Sequence, residues 1–442
     1  MPDLPLLRVL ASSFLAGEPA ADQIVARATQ TLGRPWRWLS PLAKRYVKRF
    51  AGHTRPRQRD VVQFLRRDSG FQRAWREHSH EISVERWLTE PQQMRPVAAA
   101  KGWDIPAIGS TADLAAWLNV STGELRWFAD LKGLEYKGVP SPVRNYHYKV
   151  LSKQFGQIRL LEAPKPRLKE LQRIILREIL ERVLAHPVAH GFVKDRSIKT
   201  FATPHVGQQV VLRMDLQDFF PSFAAARIQA FFRTLGYPEL VAALLAGICT
   251  NTAPRSVWKE VGSEINLANL NGAKLLYSKP HLPQGAPTSP ALANLCSYRI
   301  DCRLNGLARA AEVNYTRYAD DLAFSGGEQF ERGIERFSTH VAAILLEEGF
   351  SVHFRKTRVM RRGVRQHLAG VVVNHHLNVM RPDFDQLKAI LTNCMRLGQE
   401  TQNHDAHSGF RAHLEGRVTF IEMINPGKGQ RLRTIFQQIK WD

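Results

Sequence analysis

A chain of 442 residues, 44% of them hydrophobic, has material for a large core and two or three subdomains. Its 62 Lys and Arg against 40 Asp and Glu leave a formal charge of +22, a surplus that suits a polyanionic partner because each phosphate contact releases counterions. No apolar stretch reaches the length of a membrane span, and the four cysteines lack the CxxC spacing of a zinc site or a disulfide framework. Cys249, Cys296, Cys302 and Cys394 are therefore expected as reduced core thiols of a cytoplasmic protein.

Residues 1–135 read as helical. Leu4–Leu15 is mildly apolar but lacks a basic n-region, which predicts a first helix rather than a signal peptide. Trp36–Leu39 leads into an amphipathic, strongly basic run to Phe50, and Arg55, Arg57, Arg59, Arg66 and Arg67 then surround Val61–Leu65. Aromatics among arginines can stack bases while the charges hold phosphate; a solvated helix face with its aromatics in the core gives the same pattern. Thr111–Leu125 imitates a helix-turn-helix with a capped second helix. Tyr146–Leu161 predicts a hairpin with Gly156 at its turn, and Leu168, Leu171, Ile174, Ile175, Ile179 and Val183 then recur at helical spacing. Further on, the pattern predicts a strand at 209–215, helices after 222, 238 and 290, a hairpin at 315–325, a helix over 330–348, a short strand at Val371–Val373 and a basic helical tail from 383 to 442. Neither internal repeats nor low-complexity linkers interrupt it.

Three segments carry chemistry. Asp320 and Asp321 lie between the strand entry Tyr315-Thr316-Arg317 and the exit Leu322-Ala323-Phe324. Two carboxylates in one tight turn are what a two-metal phosphoryl-transfer site needs, although paired Asp residues are also common in solvated turns. Val210–Asp215 is an apolar, β-branched run that enters an acid, and Phe219, Phe220 and Pro221 close it. Asp215 sits some seven residues ahead of the helix near Ser222, too early to be its cap. The stretch from Leu282-Pro283-Gln284-Gly285 to Pro290 is a tight loop entering a helix, with Thr288 or Ser289 as N-cap and Pro290 in the first turn. Alone it is a generic loop-to-helix entry.

In this order the three segments resemble motifs A, B and C of reverse transcriptases. Supporting segments keep the order: Lys153, Gly156 and Arg159, then Pro164–Lys169 running into Leu171-Gln172-Arg173, Ala189–Val193, Arg196-Ser197-Ile198 and His353–Thr357. The pattern is similar to the bacterial retron-type branch, and Leu125–Ala129 and Ala253-Pro254-Arg255 are worded most like the myxobacterial retron enzymes. The likeness covers roughly residues 110–430.

The resemblance implies an α+β right-hand polymerase: an N-terminal helical extension at 1–135, fingers at 136–208, a palm at 209–380 and a helical thumb at 381–442. It implies an RNA-directed DNA polymerase working with two Mg²⁺ ions, with Asp215, Asp320 and Asp321 as catalytic acids and metal ligands. The backbone carbonyl of Leu216 (or Met214) is a further ligand, and Asp218 is the nearest decoy, read as a turn or surface acid. Phe220 matches the steric gate that leaves no room for a 2′-hydroxyl, Gln284 touches the incoming nucleotide, and Lys153 and Arg159 hold its triphosphate. Lys356 matches the motif D lysine that protonates the leaving pyrophosphate. RNA contacts are implied at His205, Gly370 and Arg173, and the helix-turn-helix-like stretch, which leads into the fingers, is a further candidate. The partners implied are a cognate structured non-coding RNA, dNTPs, the DNA product and a separate effector protein in anti-phage defence.

Two departures stand out. Retron enzymes usually carry Asn-Ala-x-x-His ahead of motif A and Val-Thr-Gly after motif D; here the stretches read Phe201-Ala202-Thr203-Pro204-His205 and Leu368-Ala369-Gly370. The missing hydroxyl at 369 removes a polar contact worth about 1 kcal/mol if buried. Polymerisation is untouched, but branched priming from a 2′-hydroxyl is put in question. The alternatives are a defence-associated reverse transcriptase outside the retrons, primed differently, and a catalytically silent RNA-binding scaffold. A group II intron maturase is disfavoured, because no zinc-type Cys/His nuclease spacing appears.

Overall fold

The computed structural model describes residues 2–51, 56–87, 94–137, 144–152, 158–260, 267–404 and 406–441. The expectations on Arg55, Lys153 and Gly156 lie outside the described residues. Five helices open the chain: α1 (Leu4–Leu15), α2 (Ala21–Leu32), α3 (Leu39–Arg49), α4 (Gln58–Arg67) and α5 (Ser69–His78). Asp3 caps α1 by accepting from the Leu6 N–H, Asp68 caps α5 at the Phe71 N–H, and left-handed Gly33 ends α2. Their apolar faces close on one core containing Leu7, Leu10, Ala28, Leu42, Tyr46, Leu65 and Phe71. The aromatics among the arginines thus belong to packing: Tyr46 is buried against Phe50 and Phe64.

The helical reading fails between the end of α5 and residue 110, where the described residues hold only a 3-10 turn at Ala98–Ala100. Pro96, Pro106, Gly102 and Gly109 disfavour a helix there. Helices α6 (Thr111–Trp117) and α7 (Thr122–Ala129) follow, each opened by a capping box, Ser110–Asp113 and Ser121–Glu124. Strands β1 (Tyr146–Ser152) and β2 (Ile158–Pro164) pair antiparallel and run into α8 (Pro166–Glu178). Helix α8 stops short of the expected Val183, because Ile179 leaves α geometry and Leu180–Arg182 tightens into a 3-10 turn. Ile179 and Leu180 stay buried, which is why the periodicity persists.

The chain continues through α9 (Ile198–Ala202), β3 (Val210–Asp215), α10 (Ala225–Thr234), α11 (Glu239–Cys249), α12 (Leu267–Tyr277), α13 (Ser289–Cys296) and α14 (Tyr298–Ala310). Next come β4 (Asn314–Tyr318), β5 (Asp321–Gly326), α15 (Glu328–Glu347), β6 (Arg358–Arg361), and the short β7 (His367–Leu368), β8 (Val371–Val372) and β9 (Asn378–Val379). Helices α16 (Arg381–Leu397), α17 (Phe410–Ile424) and α18 (Pro426–Gln437) end it. Among the described residues no helix is long and apolar enough to cross a membrane.

These elements form two compact units, one of residues 1–183 and 223–292, the other of 184–222 and 293–442. Helix α11 packs on α6, α7 and α8, so 223–292 folds with the N-terminal half. The second unit holds an antiparallel sheet of order β4-β5-β3-β6 and a small sheet β7-β8-β9. Strand β3 is central and covered on both faces. Phe324 of β5 stacks on Tyr315 and meets Phe337 of α15 on one face, while Val211 and Ala323 join the C-terminal helices on the other. Only Cys249 and Cys394 are buried; Cys302 is exposed, because the core face of α14 carries Ile300, Leu304 and Ala308.

Candidate active site

In the second unit, the register brings two acids face to face: Asp215, last residue of β3, pairs with Asp321, first residue of β5. Alternation puts Arg213 on the same face as Asp215 and diagonal to Asp321. The third acid, Asp320, lies with Ala319 in the two-residue turn joining β4 to β5, where Tyr318 pairs with Asp321. Ala319 has φ 54°, a left-handed conformation that usually calls for glycine and costs an alanine about 1–2 kcal/mol. The surroundings hold this strained turn. Leu216 N–H donates to the Asp320 carbonyl at 2.9 Å, and the Arg317 guanidinium donates to the Ala319 carbonyl at 3.2 Å. Gly191 presses against it so closely that a Cβ there would lie 2.7 Å from the Ala319 nitrogen.

Three like charges in a half-buried corner repel. Burial first, then Asp215 and Asp321, push the Asp320 carboxyl up to about 6. Burial also raises Asp321, against the pull of Arg213, whose Nε and Nη2 lie 2.9 and 2.8 Å from one Asp321 oxygen. Asp215 is held by Lys356, with Nζ at 2.9 and 3.3 Å from its two oxygens. The bond from His353 N–H to the Asp215 carbonyl, at 2.7 Å, ties the Lys356 turn to the end of β3. With Asp215 turned to a lysine and Asp321 to an arginine, no three metal-ligating side chains among the described residues converge on one point. The donor set is nonetheless all hard oxygen, the type that suits Mg²⁺. Among the described residues no donor reaches the Leu216 carbonyl either.

Residues 151–395 match the family model described as reverse transcriptase (RNA-dependent DNA polymerase). The retron Mx65 reverse transcriptase of Myxococcus xanthus is 39% identical over 394 residues, covering 86% of each chain. The chain belongs to the retron reverse transcriptases. The retron Mx162 enzyme of the same organism is 35% identical over 347 residues, covering 75% of this chain and 67% of its own. The retron Ec86 enzyme of Escherichia coli is 29% identical over 285 residues, 64% of this chain and 77% of its own. This reverse transcriptase is therefore an RNA-directed DNA polymerase of retron type.

Other expected residues of the enzyme divide between the units. In the second, Phe220 is half-buried, 6.5 Å from the exposed ring of Phe192, which lies 6.3 Å from Tyr318 of the catalytic turn. Asp218 is a turn residue with φ 47° whose carbonyl accepts from Ser222. Gly370 is exposed in the left-handed Ala369-Gly370 turn between β7 and β8. His205 is fully buried, with its nitrogens 2.7 Å from the hydroxyls of Ser325 and Thr316, and so braces the sheet. Burial holds its imidazole down at about 3. In the first unit, Arg173 is exposed on α8, Arg159 is half-buried on β2, and Gln284 is half-buried in its loop. The Gln284 carbonyl accepts from Glu162 N–H at 2.9 Å, and a Cβ on Gly285 would meet the Glu162 carbonyl at 2.9 Å.

Two arrangements escaped the sequence reading. Arg317 is wholly buried, with Nε and Nη2 on the two oxygens of buried Asp301 at 2.8 and 2.7 Å, and it also bonds Asn294. The signal was present: Arg317 alternates with Tyr315 on a core-facing strand, where a charge needs a partner. Glu162, also fully buried, accepts from Asn251 at 2.8 Å and bonds His281 at 2.8 Å, locking β2 to the loop before Gln284. Local sequence gives no sign of that pairing.

Proposed function

We propose that this reverse transcriptase copies part of a dedicated structured RNA into DNA, with Asp215, Asp320, Asp321 and the Leu216 carbonyl holding two Mg²⁺ ions. The observation that carries the reading is the pairing of Asp215 with Asp321 beside a turn that presents Asp320, a cluster whose mutual repulsion favours a divalent counter-ion. When bound, such ions clamp the attacking and leaving oxygens of an in-line phosphoryl transfer. The chain's own residues do the rest. Lys356 neutralises Asp215 in the ion-free protein and can turn to a phosphate when Asp215 takes a metal. Phe220 lies under the sugar and excludes a 2′-hydroxyl, Arg159 offers a guanidinium fork to phosphate oxygens, and Gln284 borders the incoming nucleotide. Gly370 and Arg173 are exposed and available to the RNA. By resemblance to the retron enzymes, the biological setting is phage defence with a separate effector.

The test is to purify the chain from its host and sequence the nucleic acid that comes with it, with and without RNase and debranching treatment. A short DNA joined to one structured RNA is expected. Unbranched DNA or DNA attached to protein would exclude branched priming, and the absence of an associated RNA would overturn the dedicated-RNA reading.

A further inference from the structure

The N-terminal helices and α10 frame a strongly basic feature, made entirely of residues in the first unit. An open cleft of about 830 Å³ lies between the end of α3, the length of α4, the start of α5 and the last turn of α10. That volume falls in the range of ligand sites, about 300–1,000 Å³. Four guanidiniums line it: Arg49, Arg57, Arg67 and Arg233. Its two acids are already engaged. Asp68 is clasped by both Nε and Nη2 of Arg45 at 2.7 Å and caps Phe71, and Asp60 lies 3.7 Å from Arg59. Arg49, Arg57 and Arg67 make no ion pair among the described residues, although each borders the same space. Arg233 feels the crowding. Burial pulls its guanidinium below the ordinary value, and Arg57 and Arg59 pull it further, against Glu239 at 2.9 Å and Asp60.

Such convergence stores repulsion that an anion would relieve. Guanidiniums suit phosphate in particular, because their planar forks match its oxygens. Phe64 is half-buried against Phe50 and Tyr46, so the rings wall the cleft rather than offering free stacking faces. Recognition here is then mainly a matter of charge.

We propose that this cleft binds the phosphate backbone of a polynucleotide, a contact independent of sequence. The choice of a polynucleotide over another polyanion rests on the reading of the chain as a polymerase. The shared chemistry is the backbone, whose source is the RNA or the DNA product.

The experiment titrates the full chain with a short RNA hairpin and, separately, a DNA of the same sequence, following anisotropy across a salt series. The triple variant Arg49→Gln, Arg57→Gln, Arg67→Gln should lower the slope of log affinity against log salt by roughly 2–3, since each phosphate contact contributes about 0.7–0.9. The matching triple Lys variant keeps the charge and should keep the slope, which separates lost contacts from lost folding. Loss on the RNA alone assigns the cleft to RNA, loss on the DNA alone to the product, and loss on both to any backbone. A wild-type slope on both probes overturns the proposal. Primer extension at saturating template should be unchanged in the Gln variant; if wild type cannot extend at all, it is the polymerase reading that fails.

Discussion

Two regions of this molecule bury acids, and they treat them in opposite ways. In the first unit, Glu162 has both oxygens answered. His281 and Asn251 each lie at 2.8 Å, Asn251 reaches Tyr148, and Tyr148 donates to Glu135 at 2.7 Å. Burial draws the His281 imidazole down, but Glu162 outweighs it and holds the ring above its ordinary value. In the second unit, Asp215, Asp320 and Asp321 crowd one corner with, among the described residues, only Lys356 and Arg213 to offset them, and Asp320 is left at about 6. A satisfied buried charge fixes architecture; an unsatisfied cluster of one sign is poised for a cation.

That contrast can be broken by substitution. Asp215→Ala or Asp320→Ala should lower RNA-templated DNA synthesis by on the order of 10³-fold or more, as loss of several kcal/mol of transition-state stabilisation implies, while the thermal midpoint stays level or rises. Single-turnover primer extension beside calorimetry reads both. Glu162→Ala should do the reverse at the level of the fold. It leaves a buried imidazole without its partner and should cost about 3–5 kcal/mol in denaturant unfolding. A full loss of synthesis with an unchanged fold in that variant would erase the distinction.

Smaller effects sharpen it. Phe220→Ala should raise ribonucleotide incorporation relative to deoxynucleotide by roughly 10–200-fold, the usual scale of a pocket-shape change, measured as a ratio of kcat/KM values. The pH dependence has a definite sign. Asp320 has a folded value near 6, above its ordinary 3.8, so its neutral form is the one folding favours. Its contribution to stability is complete below 3.8 and is lost as pH rises through about 6. Metal-free protein should therefore lose roughly 1–3 kcal/mol from this group between pH 4 and 7, and Asp320→Asn should remove that dependence in thermal scans.

How much could be read beforehand follows the same divide. Strand β3 and the β4–β5 hairpin were legible because apolar alternation frames the acids within a few residues. Of the small sheet only β8, Val371–Val372, was legible, as the short strand expected at Val371–Val373; β7 and β9 are two residues each, too short to show a period. Strand β6, Arg358–Arg361, is mostly exposed and reads as a charged loop. Lys356 was legible as a motif residue, but not its grip on Asp215, which joins positions 141 residues apart. The two buried hydroxyls that His205 meets were not legible either, since Ser325 and Thr316 lie more than 100 residues away. Which helices α11 packs against was hidden as well, since no local pattern encodes those neighbours.

The most direct measurement is a Mg²⁺ titration of the thermal midpoint at neutral pH, for wild type and Asp320→Asn side by side. If the carboxylate corner is built for divalent cations, Mg²⁺ raises the wild-type midpoint and the variant responds little. An equal rise in both, or none in wild type, would contradict it.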